Sequence, residues 1–142
     1  MSRAFTTRHR VRFGHCDPAG IAFYPRYFEM CDAAVEDWCE RVLEAPRAAM
    51  HLEQGLGLPT VDLHATFTAV SRLGDWLDIA LFVEAVGRTS VSLRADVSCE
   101  GEPRFTVNYK QVLMNLETTK SVPWPDDMRA RLLAAAGEEA AA

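Results

Sequence analysis

The 142-residue chain has no apolar run approaching the ~20 residues that a membrane-spanning helix needs. Its first ten residues, Met1 to Arg10, lack the apolar core of a secretory signal, so a cytoplasmic location is expected. It also lacks an excess of positive charge: fifteen basic against twenty acidic residues give a net charge of −5. That balance argues against nucleic acid or an anionic membrane surface as the main partner, and any anionic ligand must be held by local positive groups. Cys16, Cys31, Cys39 and Cys99 form no C-x-x-C pair and no Cys/His spacing of a zinc site. Reduced thiols and no bound metal are therefore expected. Neither G-x-G-x-x-G nor G-x-x-x-x-G-K-[ST] occurs, which removes support for nicotinamide or ATP chemistry, and without G-x-S-x-G an α/β-hydrolase is not indicated. No internal repeat or interdomain linker is evident. A single domain over residues 1–142 is expected, long enough to bury about 70% of its unfolded surface.

What the chain does have is a dense segment at Phe13-Gly14-His15-Cys16-Asp17-Pro18-Ala19-Gly20-Ile21-Ala22-Phe23-Tyr24-Pro25-Arg26-Tyr27. Asp17 sits in a Pro/Gly turn just before a strongly helical stretch, which holds a carboxylate beside the positive end of a helix. Turn chemistry alone explains an aspartate there, because its side chain bonds locally to backbone. The same placement also serves a reaction, since an ionised carboxylate can attack or take a proton while free helix N–H groups stabilise an oxyanion.

Apolar parity at Phe5, Val11 and Phe13 predicts a first strand over residues 5–13. From Tyr24 the spacing changes to Tyr27, Phe28, Cys31, Ala34, Val35, Trp38, Cys39 and Val42, an amphipathic helix of about five turns. Pro46 can open a second short helix ending near Gly55, and residues 55–59 read as a loop. Four strands follow. The first carries Val61, Leu63, Ala65, Phe67 and Ala69 on one face; the others run over residues 76–86, 91–99 and about 104–116, with a tight turn at Glu100-Gly101-Glu102. Short connections imply an antiparallel sheet. A helix is expected from Pro123, with an alanine-rich tail over residues 134–142 that frays. The economical packing is α+β: a curved sheet of about five strands wrapped around one long helix.

The Asp17-Pro18-Ala19-Gly20 turn and the residues around it resemble the active-site stretch of the 4-hydroxybenzoyl-CoA thioesterase family, whose members have the hotdog fold. The resemblance is specific over residues 13–27 and compatible to about residue 116. It implies an acyl-CoA thioesterase with Asp17 as nucleophile or general base and the Tyr24 amide as oxyanion donor. Tyr27 would line the acyl pocket, and His64 would stand beside the site of a neighbouring subunit. Arg88, Thr89 and Ser90 would face the nucleotide end of coenzyme A. His15 departs from the family, which often has an acidic residue there; at strand spacing it would point the same way as Asp17. Asp32 reads as solvated helix surface, and Phe28 as core. The implied substrate is an aromatic acyl-CoA such as hydroxybenzoyl, or a short acyl-CoA, with no cofactor beyond the substrate's own coenzyme A. A homodimer or homotetramer is implied, because a lone subunit leaves a sheet edge uncovered. Two other readings stay open: a hotdog hydratase or dehydratase using His64, and a non-catalytic acyl-CoA-binding module.

Overall fold

A computed structural model describes residues 4–137. Among the described residues, seven strands and three α-helices run in the order β1 (Phe5–Arg10), α1 (Pro25–Arg41), α2 (Arg47–Leu52), β2 (Leu56–Gly57), β3 (Thr60–Phe67), β4 (Trp76–Val86), β5 (Ser90–Cys99), β6 (Glu102–Val112), β7 (Met114–Asn115) and α3 (Asp126–Ala136). Five strands form one antiparallel sheet in the order β1-β4-β5-β6-β3, and β2 pairs with β7 separately.

The helix α1 forms where the apolar spacing predicts it. Pro25 opens it at the first helical position, where a missing N–H costs nothing. Tyr27, Met30, Cys31, Ala34, Val35, Trp38 and Cys39 form its buried face, at the three- and four-residue steps of a helix laid on a sheet. They meet Leu77, Ile79, Leu81 and Val83 of β4, Val91 to Val97 of β5, and Phe105, Val107 and Tyr109 of β6 in one core. Removing a large side chain there, such as that of Trp38, costs about 3–5 kcal/mol. Burial holds the Cys31 and Cys39 thiols up, to about 12 and about 11, and all four cysteines are free.

The β5–β6 turn places Glu100 and Gly101 at φ 50° and 82°, the double positive φ of a two-residue hairpin that matches strand twist. Among the described residues, no helix is long and apolar enough to cross a membrane.

Several boundaries differ from the sequence expectation. The first strand ends at Arg10, and Phe13 lies in a 3-10 turn with 83% of its surface exposed; only Val11 continues inward. The last long strand ends at Val112, and Met114–Asn115 pairs instead with Leu56–Gly57, inside the segment expected to be a loop. The terminal helix starts at Asp126, after Pro125, and holds Ala134 to Ala136. The rest of the expected frayed tail, residues 138–142, lies outside the described residues, as do the first three residues.

Candidate active site

Asp17-Pro18-Ala19-Gly20 is a tight turn whose residue types follow its backbone. The Gly20 N–H donates to the Asp17 carbonyl at 2.9 Å, and the Asp17 N–H donates to the Ile21 carbonyl at 3.0 Å. Aspartate first, proline second and glycine last are the residues a type I turn favours, and Gly20 takes φ 78°. The arms continue as a short hairpin, with Cys16 bridged to Ala22 and the Phe23 N–H donating to the His15 carbonyl at 2.8 Å.

Asp17 is half-buried, and its Oδ1 accepts the Ala19 N–H at 2.9 Å. The turn-forming role is therefore real, and it uses one oxygen. Among the described residues Oδ2 accepts no hydrogen bond, so one carboxylate oxygen is anchored and the other is available.

Tyr24 caps α1 without a side-chain cap. The Arg26 N–H already donates to the Phe23 carbonyl at 2.8 Å and the Tyr27 N–H to the Tyr24 carbonyl at 3.1 Å. Pro25 has no N–H. That leaves the Tyr24 amide as the one unpaired donor at this helix start among the described residues. Tyr24 follows Ile21, the residue opposite Asp17 in the hairpin, by three residues, so the hairpin leads directly from the carboxylate to this amide.

An aromatic cluster stands beside this amide. The Phe67 ring, at the end of β3, lies 6.0 Å from Tyr24, 5.8 Å from Tyr27, 6.4 Å from Phe28 and 5.7 Å from Phe105. Tyr27 is itself buried and 4.2 Å from Phe105, so it is a core residue whose ring backs the wall. Phe67 is the exposed member that the sequence reading did not single out. It looked like one more apolar position on a strand, and only the packing of β3 on the start of α1 reveals it.

The hairpin is braced from below. The Ala22 N–H donates to the Ser71 carbonyl at 2.8 Å, the Leu73 N–H to the Gly20 carbonyl at 3.2 Å, and the Val11 N–H to the Asp75 carbonyl at 2.8 Å. Arg104, on β6, clamps this 70–75 segment through the Val70 carbonyl at 3.1 Å, Ser71 Oγ at 3.1 Å and Asp75 at 2.7 Å. The Arg72 amide and then Arg104 hold the Asp75 carboxyl below its ordinary 3.8. A lone arginine near a strand start gives no sequence signal of this clamp.

His15 does not point along with Asp17. Its Nδ1 accepts the Arg12 N–H at 2.9 Å, turning the ring back into the 3-10 turn. Partial burial lowers its pKa below 6.5, with Arg12 and Arg26 acting in the same direction and Glu29 against them. His64 is exposed, one residue out of parity with Leu63 and Ala65 on β3, opposite Asn108. Since the parity of Phe67 faces α1, His64 faces away from it.

Arg88, Thr89 and Ser90 follow β4, whereas the Asp17 hairpin is pinned to the residues just before β4. Eleven strand residues separate the two ends, roughly 35 Å. One chain therefore does not bring Asp17 and Arg88 together. The turn is firmly built: the Trp124 N–H donates to the Arg88 carbonyl at 3.2 Å, the Leu113 N–H to the Thr89 carbonyl at 2.8 Å, and the Trp124 indole to the Ser90 carbonyl at 3.1 Å. Arg129 donates to the Gly87 carbonyl at 3.0 Å, and Arg88 is exposed. Arg131 is engaged by Glu44 and Asp127. Asp32 is more than solvated surface, because Arg47 grips both its oxygens at 2.8 and 2.9 Å.

Residues 11–132 match the thioesterase-like superfamily. The 4-hydroxybenzoyl-CoA thioesterase of Pseudomonas sp. (strain CBS-3) is 33% identical over 99 residues, 69% of this chain and 70% of that protein. A 1,4-dihydroxy-2-naphthoyl-CoA hydrolase of Prochlorococcus marinus (strain NATL1A) is 30% identical over 111 residues, 74% of each protein. Among solved structures, an aspartate-to-asparagine variant of 4-hydroxybenzoyl-CoA thioesterase complexed with 4-hydroxybenzoyl-CoA matches with a TM-score of 0.85 at 25% identity, covering 92% of this chain and 99% of that one. With a matching sequence and the same antiparallel sheet wrapped on one helix, the chain belongs to the thioesterase-like superfamily, as a thioester hydrolase with the hotdog fold.

Proposed function

We propose that this protein hydrolyses an acyl-CoA thioester whose acyl group is aromatic, such as hydroxybenzoyl, or short, with Asp17 as the reacting carboxylate. The observation that carries the reading is the pairing of one available Asp17 oxygen with the one unpaired amide at the start of α1. In the nucleophilic route, Oδ2 attacks the thioester carbon and the C–S bond breaks. The thiolate leaves and takes a proton from water, and a second water hydrolyses the acyl anhydride to restore the carboxylate. In the general-base route, Asp17 takes a proton from water as that water attacks. Both routes develop negative charge on the carbonyl oxygen, where the Tyr24 N–H supplies about 3–4 kcal/mol of transition-state stabilisation. Neither route requires a metal or redox cofactor.

The relatives whose names specify a substrate act on aromatic acyl-CoAs, which supports the aromatic class, as does the Phe67 cluster beside the amide. The substrate complex of a relative with one aspartate carboxylate removed supports an aspartate in the reaction.

The proposed site is shared between two copies of the chain. Phe67 ends β3 at the Asp17 end of the sheet, while Thr60 begins β3 opposite Gln111, beside the Ser90–Val112 pair. Twofold antiparallel pairing of two β3 edges would bring the partner's Arg88, Thr89 and Ser90 toward Asp17, and would satisfy an open strand edge. Those residues then supply a guanidinium, hydroxyls and amides to coenzyme A phosphates.

The test is thiol release from aromatic, short and medium acyl-CoAs by wild type and by a folded Asp17→Asn variant. Loss of hydrolysis by at least about 10³-fold is expected. Turnover that survives the substitution contradicts the role of Asp17, and no turnover on any thioester contradicts the function.

A further inference from the structure

The five-stranded sheet ends in two edge strands, β3 and β1, and their charges differ. From Thr60 to Phe67, β3 carries no lysine or arginine. β1 carries Arg8 and Arg10 around His9, Arg12 follows, and no acidic residue precedes Asp17 in the chain. In a protein of net charge −5 this edge is locally cationic. Among the described residues Arg8 is paired with Asp78 at 3.0 Å, while Arg10 and Arg12 have no carboxylate partner. The Trp76 ring supports Arg8 and Arg10, at 5.2 and 5.7 Å from its centroid, so both guanidiniums are held beside the strand.

The outer side of β1 also presents backbone. The Val11 N–H donates to the Asp75 carbonyl at 2.8 Å, and the Val11 carbonyl accepts the Gly74 N–H at 2.9 Å, so Val11 bonds toward the β4 side. Bonding alternates along an antiparallel strand, so His9, Thr7 and Phe5 also bond toward β4. Thr6, Arg8 and Arg10 then turn their N–H and C=O groups outward, where no other strand of the sheet lies. A row of such groups two residues apart is what an added strand uses.

Two cavities flank this edge. One, of about 320 Å³, sets Arg8, His9, Arg10 and Arg12 against Met30 and Ala33 of α1. Its one acidic lining residue, Glu29, is held by Arg26 at 2.9 Å. The other, of about 400 Å³, sets Phe5 against Trp38 and Val42 of α1 and Ala134 and Ala135 of α3. Val11 lies in the core and Phe5 packs against it, so the odd positions of β1 face α1 while Thr6, Arg8 and Arg10 face the opposite way. The edge therefore offers cations on one face and apolar surface on the other.

We propose that β1 is a docking edge for an acidic extended segment of a partner protein, which adds to the sheet as a further strand. Its carboxylates stand at alternate positions across from Arg8 and Arg10, and the apolar side chains between them turn toward α1. Opposite charges directly across a strand pair attract and like charges repel. Edge cations accordingly deter basic strands and admit an acidic one. The same rule disfavours a second copy of this chain, since β1 against β1 sets arginine against arginine. A free anion uses the charges and leaves the backbone row unused. This proposal is independent of the thioesterase reading.

The test is fluorescence anisotropy with a labelled peptide of about six alternating glutamate and valine residues, long enough to span β1. Wild type is expected to bind it in the micromolar range. Binding should be at least about tenfold tighter than for a lysine–valine peptide, or for a peptide of the same composition with its glutamates in one block and its valines in another. Arg8→Glu combined with Arg10→Glu should abolish binding. Thr6→Pro keeps every charge and removes one outward N–H, so it should weaken binding by at least about tenfold while wild-type thiol release is retained. In wild type saturated with the peptide, amide exchange at Thr6, Arg8 and Arg10 should slow, a readout that needs no variant to fold. Equal binding of the lysine or blocked peptide overturns the proposal, as does binding that survives Thr6→Pro without slowed exchange, the mark of a charge contact alone. Anionic lipid vesicles bound by wild type when the peptide is not would assign the face to a membrane surface and overturn it. A chain ending at Gly137 that binds the peptide tenfold tighter would assign the groove to residues 138–142 and overturn a partner. Thiol release from acyl-CoA is read separately, so failure here leaves the thioesterase reading standing.

Discussion

Strands β5 and β3 carry the same alternating apolar pattern and meet different fates. In β5, Val91, Leu93, Ala95 and Val97 are at most 2% exposed, packed under α1 with strands on both sides. In β3, Val61, Leu63 and Phe67 are 57%, 46% and 43% exposed, on a strand with one free edge. Alternation therefore specifies a strand and the face that wants cover. It does not say whether the chain itself provides the cover. In β3 the uncovered residues run up to Phe67, the ring beside the Tyr24 amide, so the incomplete burial and the proposed chemistry occupy one edge of the molecule.

That contrast can be broken by substitution. Of the changes on these two strands, the larger stability effect is expected from Leu93→Ala in β5, about 2–5 kcal/mol lost in urea unfolding. Leu63→Asp on β3 should leave the subunit fold intact by circular dichroism, yet lower the assembled mass by sedimentation and reduce thiol release with it. If Leu63→Asp unfolds the subunit as severely as Leu93→Ala, the edge is core and the distinction fails.

Next in size is the clamp under the Asp17 hairpin. Arg104→Ala should cost about 2–3 kcal/mol, because Asp75 and Ser71 lose their partner, and it should lower kcat more than it raises KM by loosening the hairpin. Unaltered stability would mean the clamp is decorative.

The smallest effect is in the pH dependence. Asp75 is held below its ordinary pKa of 3.8 by the Arg72 amide and Arg104, so its contribution is fully present above about pH 4 and is lost as pH falls through the lowered native value. Arg104→Ala removes one of those two causes and should move the acid unfolding limb to higher pH. An acid limb identical to that of wild type would contradict the assignment.

The fold and the central turn were legible because their signals are local. Asp17, Pro18 and Gly20 define a turn by residue type, and Tyr27 to Cys39 define a helix by spacing. The end of the first strand was misread because Phe13 keeps the right parity while the chain bends into a 3-10 turn held by Arg12 and His15. The short β2–β7 pair was missed because two-residue strands have no periodicity. Phe67 and the Arg104 clamp were invisible for one shared reason: each acquires its role from elements far away in sequence. The separation of Arg88 from Asp17 likewise follows from strand order, which residue types do not encode.

A shared site is tested most directly by mixing two crippled chains. Asp17→Asn lacks the reacting carboxylate and Arg88→Glu repels coenzyme A phosphates, so each alone should release little thiol at low substrate. In a mixed dimer one site carries both defects, while the other joins an intact Asp17 to an intact Arg88 from its neighbour. Co-refolded mixtures should therefore regain a substantial fraction of wild-type activity. Activity no greater than the sum of the two parents would show that Asp17 and Arg88 do not serve one substrate across two chains.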